Sequence, residues 1–153
     1  MKKVLVDINV FMDVLQAREG VESSLRVLSS LREKDEYCGF VSALTVPILY
    51  YFESREYNDQ EARENVKKIL RKFTIVDLTS ELIQKAFEEE SIPDFEDCIQ
   101  YHSAKTASCS AIITRNTKDF QEVELNIYTP EEFQELDRTC GEVINESCNI
   151  SSR

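Results

Sequence analysis

The sequence predicts an α/β domain built on a central, mostly parallel sheet of four to five strands. Short apolar runs alternate along the chain with segments of helical periodicity. That alternation calls for crossovers that return successive strands to the sheet in parallel. The 153 residues suffice for one domain with a real core. Only three Gly and three Pro occur among them, which points to long helices and few irregular loops.

Each element has a local reason. Lys2–Val6 is an apolar strand that ends at Asp7. Asn9 caps a short helix reaching about Ala17, and Leu25, Leu28 and Leu31 mark one side of a second helix, Ser23 to Glu33. Tyr37–Val41 is short and rich in β-formers. Thr45 is placed to cap the next helix, where Pro47 is tolerated in the first turn because no intrahelical donor is needed there. A helix from Gln60 to Lys72 carries Val66, Ile69 and Leu70 on one side and Arg63, Lys67, Lys68 and Arg71 on the other. Thr74–Val76 is a strand, and Thr79 caps a helix through about Glu88. Pro93 breaks the chain, and Asp94 caps a helix from Phe95 to about Ala107. Ala111–Thr114 and Asn126–Tyr128 are the last strands. Thr129-Pro130-Glu131-Glu132 opens a final helix with a cap, a proline at the first position and acids in the first turn. The pattern fades from Asp137, which divides the chain into a domain over 1–136 and a C-terminal tail over 137–153, disordered or docked onto a partner.

Bulk composition narrows the function classes. Hydrophobic residues make up 42% of the chain and charged residues 31%, as in a soluble globular protein. No apolar stretch approaches membrane-spanning length, and the run behind Met1-Lys2-Lys3 is too short for a signal peptide, so the expected location is cytoplasmic. The net charge of −11 opposes nucleic-acid binding, unless clustered acids carry a divalent cation that reverses the local field. Five cysteines without a CxxC pair, and a single histidine, argue against zinc and for reduced thiols. Cys38, Cys98 and Cys109 are expected to pack in apolar surroundings.

The chemistry concentrates at strand ends. Asp7 follows the first strand, Asp97 lies in the first turn of a helix, and Asn116 and Asp119 follow Ala111–Thr114. Carboxylates brought together in that way suit a hard cation such as Mg²⁺, which activates water and stabilises charge on a phosphate. Each residue also has a structural reading: Asp7 and Asp94 as helix caps, Asp97 as a helix-dipole acid, Glu96 as part of a solvated face, and Asn116 and Asp119 as turn residues. Asn9 orients Asp7, caps the helix, or does both. Arg115, and the stripe of Lys67, Lys68 and Arg71, are either RNA-backbone contacts or plain surface charges. His102 is off the helical face of Asp97 and reads as a packing or surface histidine. Ser108-Cys109-Ser110 has no base placed to activate a nucleophile.

Several short motifs in order resemble the PIN domain, above all the small bacterial single-domain proteins that act as toxins in toxin–antitoxin pairs. They are Asp7-x-Asn9-Val10, Asp94-Phe95-Glu96-Asp97, Thr114-Arg115-Asn116-x-Lys118-Asp119-Phe120 and Thr129-Pro130-Glu131-Glu132-Phe133. The resemblance spans roughly Lys2 to Leu136. It implies a three-layer α/β/α fold, Mg²⁺ or Mn²⁺ held by clustered acids, cleavage of RNA, an antitoxin partner and a homodimer. Carried onto this sequence, it assigns Asp7 and Asp97 to the site, with Asn116 at the fourth position and Asp119 nearby. Asn9, Asp94, Glu96 and Thr114 stand as supporting residues. One departure stands out. In Ser42-Ala43-Leu44-Thr45-Val46-Pro47-Ile48, Ile48 occupies the place where the family carries its second acid, a Glu. Two readings follow: a metal-dependent ribonuclease, or a PIN-fold binding module with weakened or lost catalysis. A third is a structural partner of another PIN-like chain, with Tyr50, Tyr51 and Phe52 as an apolar dimer patch.

Overall fold

The structure, a computed structural model, describes residues 1–139. Five strands form one all-parallel sheet: β1 (Lys2–Val6), β2 (Tyr37–Ser42), β3 (Thr74–Val76), β4 (Ala111–Ile113) and β5 (Asn126–Tyr128). The crossovers carry helices α1 (Ile8–Leu15), α2 (Val21–Glu33), α3 (Thr45–Glu53), α4 (Asp59–Ile69), α5 (Ser80–Glu88) and α6 (Phe95–Thr106). A 3-10 turn, Thr117–Phe120, follows β4, and a last helix, α7, occupies 130–139. The α/β class and the parallel sheet are as the alternation requires.

The strand order is β3-β2-β1-β4-β5. The chain lays strands outward from β1 to β3, then crosses back to place β4 on the other side of β1. The direction of winding therefore reverses between β1 and β4. In open parallel sheets, ligands gather in the crevice at the carboxyl ends of the strands at such a reversal.

Both faces of the sheet are covered, which makes three layers. Successive strand residues point to opposite faces. Val4, Val6, Val41, Ala111 and Ile113 pack with Phe11, Leu28, Leu49, Val66 and Phe133 on one side. Leu5, Phe40 and Ile112 pack with Leu82, Ile99, Ala104 and Phe120 on the other. Cys98 and Cys109 are buried free thiols in this second cluster, and half-buried Cys38 is packed against it. Burial pushes the Cys109 thiol up to about 12, which keeps it unreactive. Cys140 and Cys148 lie outside the described residues.

Most caps follow the sequence. The Thr79 side chain accepts from Leu82 N–H and that of Asp94 from Asp97 N–H. Thr129 and Glu132 form a reciprocal capping box: Oγ1 accepts from Glu132 N–H at 3.1 Å, and Glu132 Oε2 accepts from Thr129 N–H at 2.8 Å. Two caps differ. The α1 cap is Asp7, two residues ahead of Asn9. Thr45 caps nothing: α3 begins after Leu44 without a side-chain cap, and the Thr45 hydroxyl turns instead to Gln100.

The last helix runs past residue 136. Asp137 accepts from Ser30 Oγ on α2 at 2.9 Å and pairs with Lys34, the residue that caps the end of α2. The rest of the expected tail, 140–153, lies outside the described residues. No helix among the described residues is long and apolar enough to cross a membrane.

Candidate functional site

β1 delivers Asp7 to the crevice. Its backbone N–H donates to Ile113 O at 2.9 Å, which locks the tip of β1 to β4. The side chain is 1% exposed. Oδ1 accepts from Ile8 N–H at 2.7 Å, so the carboxyl caps α1. Oδ2 accepts from Thr114 Oγ1 at 2.7 Å and Asn9 Nδ2 at 3.0 Å. Asn9 Oδ1 in turn accepts from Arg115 N–H at 3.0 Å. Asn9 therefore orients Asp7 and does not cap.

α6 delivers Asp97, 7% exposed, from the opposite layer. Asn116 bridges outward from it: Nδ2 donates to Asp97 Oδ2 at 2.9 Å and to Asp119 Oδ2 at 2.6 Å. The Thr114 hydroxyl accepts from Asn116 N–H at 3.0 Å, which ties this wall to Asp7. Asp7, Asp97, Thr114, Asn116 and Asp119 thus form one connected group at the C-terminal ends of β1 and β4.

The electrostatics reveal strain between the acids. Burial raises Asp7 from 3.8 to about 6 against the pull of its hydrogen bonds, and the charge of Glu96 pushes the same way. Burial raises Asp97 from 3.8 to about 7, helped by the charges of Asp7, Asp94 and Asp119 and opposed by the Asn116 amide. Half-buried Glu96 is itself raised by burial and by Asp94. It belongs to the electrostatics of the site, not to a freely solvated face.

The β2 side of the crevice is polar but uncharged. Gln100 Nε2 donates to Thr45 Oγ1 at 3.2 Å, and Ser103 Oγ donates to Ser42 Oγ at 3.1 Å. All four side chains are fully buried. Ile48 packs against the apolar core. Gln100 was not singled out from the sequence, although a polar residue three places after Asp97, facing inward on a buried helix, is a legible signal.

Other candidates stand apart. Every Arg115 nitrogen is engaged: Nε with Asp13 at 2.8 Å, Nη1 with Glu131 at 2.6 Å, and Nη2 with Gly20 O at 2.9 Å and Ser24 Oγ at 3.0 Å. Gly20 has φ +86°, and a Cβ there would come within 2.7 Å of Arg115 Nη2. Arg115 thus clamps the α1–α2 turn to the start of α7. Lys67, Lys68 and Arg71 are exposed, at the end of α4 that feeds the start of β3. In a parallel sheet that is the end away from Asp7. His102 is buried and bonds Glu89 Oε2 at 3.0 Å through Nε2, a packing role. Tyr50 and Phe52 pack against the core, while Tyr51 is 56% exposed.

Among the described residues, no three acidic, histidine or cysteine side chains stand together as a ready-made metal site. The donor set nevertheless suits a hard divalent cation. It consists of carboxylate oxygens bridged by the Asn116 amide nitrogen, two of the carboxyls are held above their ordinary range by burial, and a buried carbonyl on the same helix as Asp97, Gln100 Oε1, has no partner among the described residues.

A family model of the PIN domain matches residues 3–118, and the chain belongs to that family. It is 27% identical over 139 residues to ribonuclease VapC1 of Aquifex aeolicus, a match covering 88% of this chain and 94% of that protein. Solved structures share the fold. VapBC2 from Rickettsia felis, bound to a promoter DNA fragment, superposes with a TM-score of 0.65 at 14% identity, covering 83% of this chain and 98% of that one. A toxin–antitoxin complex from Klebsiella pneumoniae gives 0.64 at 20% identity, covering 83% and 97%. Mycobacterium tuberculosis VapC20, a sarcin–ricin loop cleaving toxin, gives 0.60 at 14% identity, covering 80% and 98%.

Proposed function

We propose that this chain is a metal-dependent ribonuclease of the PIN type and the toxin of a toxin–antitoxin pair. One observation carries the reading: Asp7 from β1 and Asp97 from α6 are both buried and are joined through Thr114 and Asn116 in one hydrogen-bonded group. Such an arrangement is costly unless a cation, or protons, relieve it.

Asp7 and Asp97, with either Asn116 or Asp119, would hold Mg²⁺ or Mn²⁺. When bound, the cation supplies a hydroxide-generating and phosphate-neutralising centre. The protein residues do the positioning. Thr114 and Asn9 would fix the orientation of Asp7 and favour its charged form, and Asn116 would bridge Asp97 and Asp119 with one amide. No side chain in the group is a placed nucleophile, so the reading is direct hydrolysis without a covalent enzyme intermediate. The similarity to a VapC ribonuclease and to chains solved with antitoxins supports RNA as substrate and an antitoxin as partner.

The test is cleavage of several RNAs by the purified chain with Mg²⁺ or Mn²⁺. Activity is expected in the wild type and absent in Asp97→Asn. Cleavage by Asp97→Asn at the wild-type rate overturns the assignment.

A second reading rests on Ile48. With that position apolar and half-buried against the core, Ile48 supplies no carboxylate to the β2 side of the crevice. A PIN-fold binding module would then show no stoichiometric Mn²⁺ binding at millimolar concentrations by calorimetry.

A further inference from the structure

The β2 side of the crevice holds an unexplained group where α6 meets the start of α3. Gln100 is fully buried, and its amide is only half satisfied: Nε2 donates to Thr45 Oγ1, while Oε1 has no partner among the described residues. Reversing the amide leaves the same problem at its other end. An unmet buried polar atom is destabilising, and an apolar residue of similar volume would avoid that cost. Its position is informative. Gln100 lies three residues after Asp97 on α6, the spacing that makes side chains neighbours on one helix face. Its partner Thr45 begins α3, three residues before Ile48, on the wall that carries no acid.

We propose that Gln100, held by Thr45, is a positioning residue that binds a water in the hydration shell of the catalytic cation, and so completes the β2 side of the site in place of a carboxylate. This inference rests on the metal-dependent reading above. The chemistry is matched: small divalent cations such as Mg²⁺ retain several waters, and these waters are strong donors to a buried carbonyl. Ser42 and Ser103 extend the same uncharged wall behind it. A neutral wall also adds no further negative charge to a crevice that already holds the buried carboxyls of Asp7 and Asp97.

The test is Mn²⁺ binding to the full chain, read by calorimetry and by the water-proton relaxation of bound Mn²⁺. Gln100→Met, which keeps the volume and removes the amide, is expected to weaken binding about tenfold, the scale of a lost outer-shell contact. Its relaxation enhancement should change while its melting temperature stays level or rises. Gln100→Glu is expected to tighten Mn²⁺ binding at pH 8, and Thr45→Val to weaken it in the same direction as Gln100→Met. If Gln100→Met is poorly folded, the Gln100→Glu and Thr45→Val results decide. Wild-type affinity and relaxation in all three variants overturn the role of Gln100 while leaving the metal site intact. Failure of the wild-type chain to bind Mn²⁺ overturns both proposals.

Discussion

The Thr114 hydroxyl donates to Asp7 Oδ2 at 2.7 Å across 107 residues of sequence. The same oxygen accepts from Asn116 N–H at 3.0 Å and from Asn9 Nδ2 at 3.3 Å. One small side chain thus sets the geometry of both walls that meet at the reversal of the sheet.

Replacing Thr114 with Val keeps the shape and removes this junction. Two donors then lose their acceptor and Asp7 loses a hydrogen bond that holds its pKa down. The expected cost is about 1–3 kcal/mol in urea unfolding. The Asp7 carboxyl should titrate higher than in the wild type, visible in its side-chain NMR shift as pH is raised.

The metal-free protein should lose stability as pH rises. Asp7 and Asp97 titrate near 6 and 7 when folded, against an ordinary 3.8, so the folded chain retains protons that the unfolded chain has released. Stability is full below about 4, falls through about 7, and then levels off. Asp7 alone accounts for about 3 kcal/mol of that fall, at about 1.4 kcal/mol per pKa unit. Glu89 and Glu131 are held below the usual carboxylate range and titrate at lower pH, so the upper part of the fall belongs to the crevice. Melting curves in chelator at stepped pH test this. Asp97→Asn should flatten the profile, and millimolar Mn²⁺ at pH 8 should recover the lost stability in the wild type.

The Arg115 guanidinium is engaged by Asp13, Glu131, Gly20 and Ser24. Arg115→Ala strands buried Asp13 and should cost about 3–5 kcal/mol. Arg115→Lys should restore little, because one ammonium cannot reach Asp13, Glu131, Gly20 and Ser24 together. Chemical denaturation measures both. A fold of wild-type stability in Arg115→Ala, with weakened RNA binding, contradicts this assignment.

Asp7 has two functions that substitution separates. Asp7→Asn keeps an oxygen for Ile8 N–H and should retain the α1 cap. Asp7→Ala should lose about 1 kcal/mol of capping energy while relieving the buried charge. Both should abolish cleavage. Comparing their melting temperatures at pH 5 and pH 8 distinguishes the cap from the charge, since the buried charge acts only at the higher pH.

Much of this was legible in the sequence. Strands Lys2–Val6, Thr74–Val76 and Asn126–Tyr128 could be bounded because apolar β-formers end there at polar or turn-forming residues. Asp94 and Thr79 declared their helices through side chains that compete well for orphan N–H groups. What stayed hidden depends on partners far along the chain. Nothing local distinguishes Thr45 as a cap from Thr45 as the partner of Gln100. Arg115 reads as a surface charge until Asp13 and Gly20 are brought beside it. Glu96 looks solvated until the start of α6 is folded against the tip of β1.

Asn116 places its amide hydrogens on Asp97 and Asp119 together. A neutral side chain there gives two carboxylates a shared donor without adding charge of its own. If a cation is to take Asp97 Oδ2, it must displace that amide. Its affinity would then be a difference between two occupants, not the filling of an empty seat.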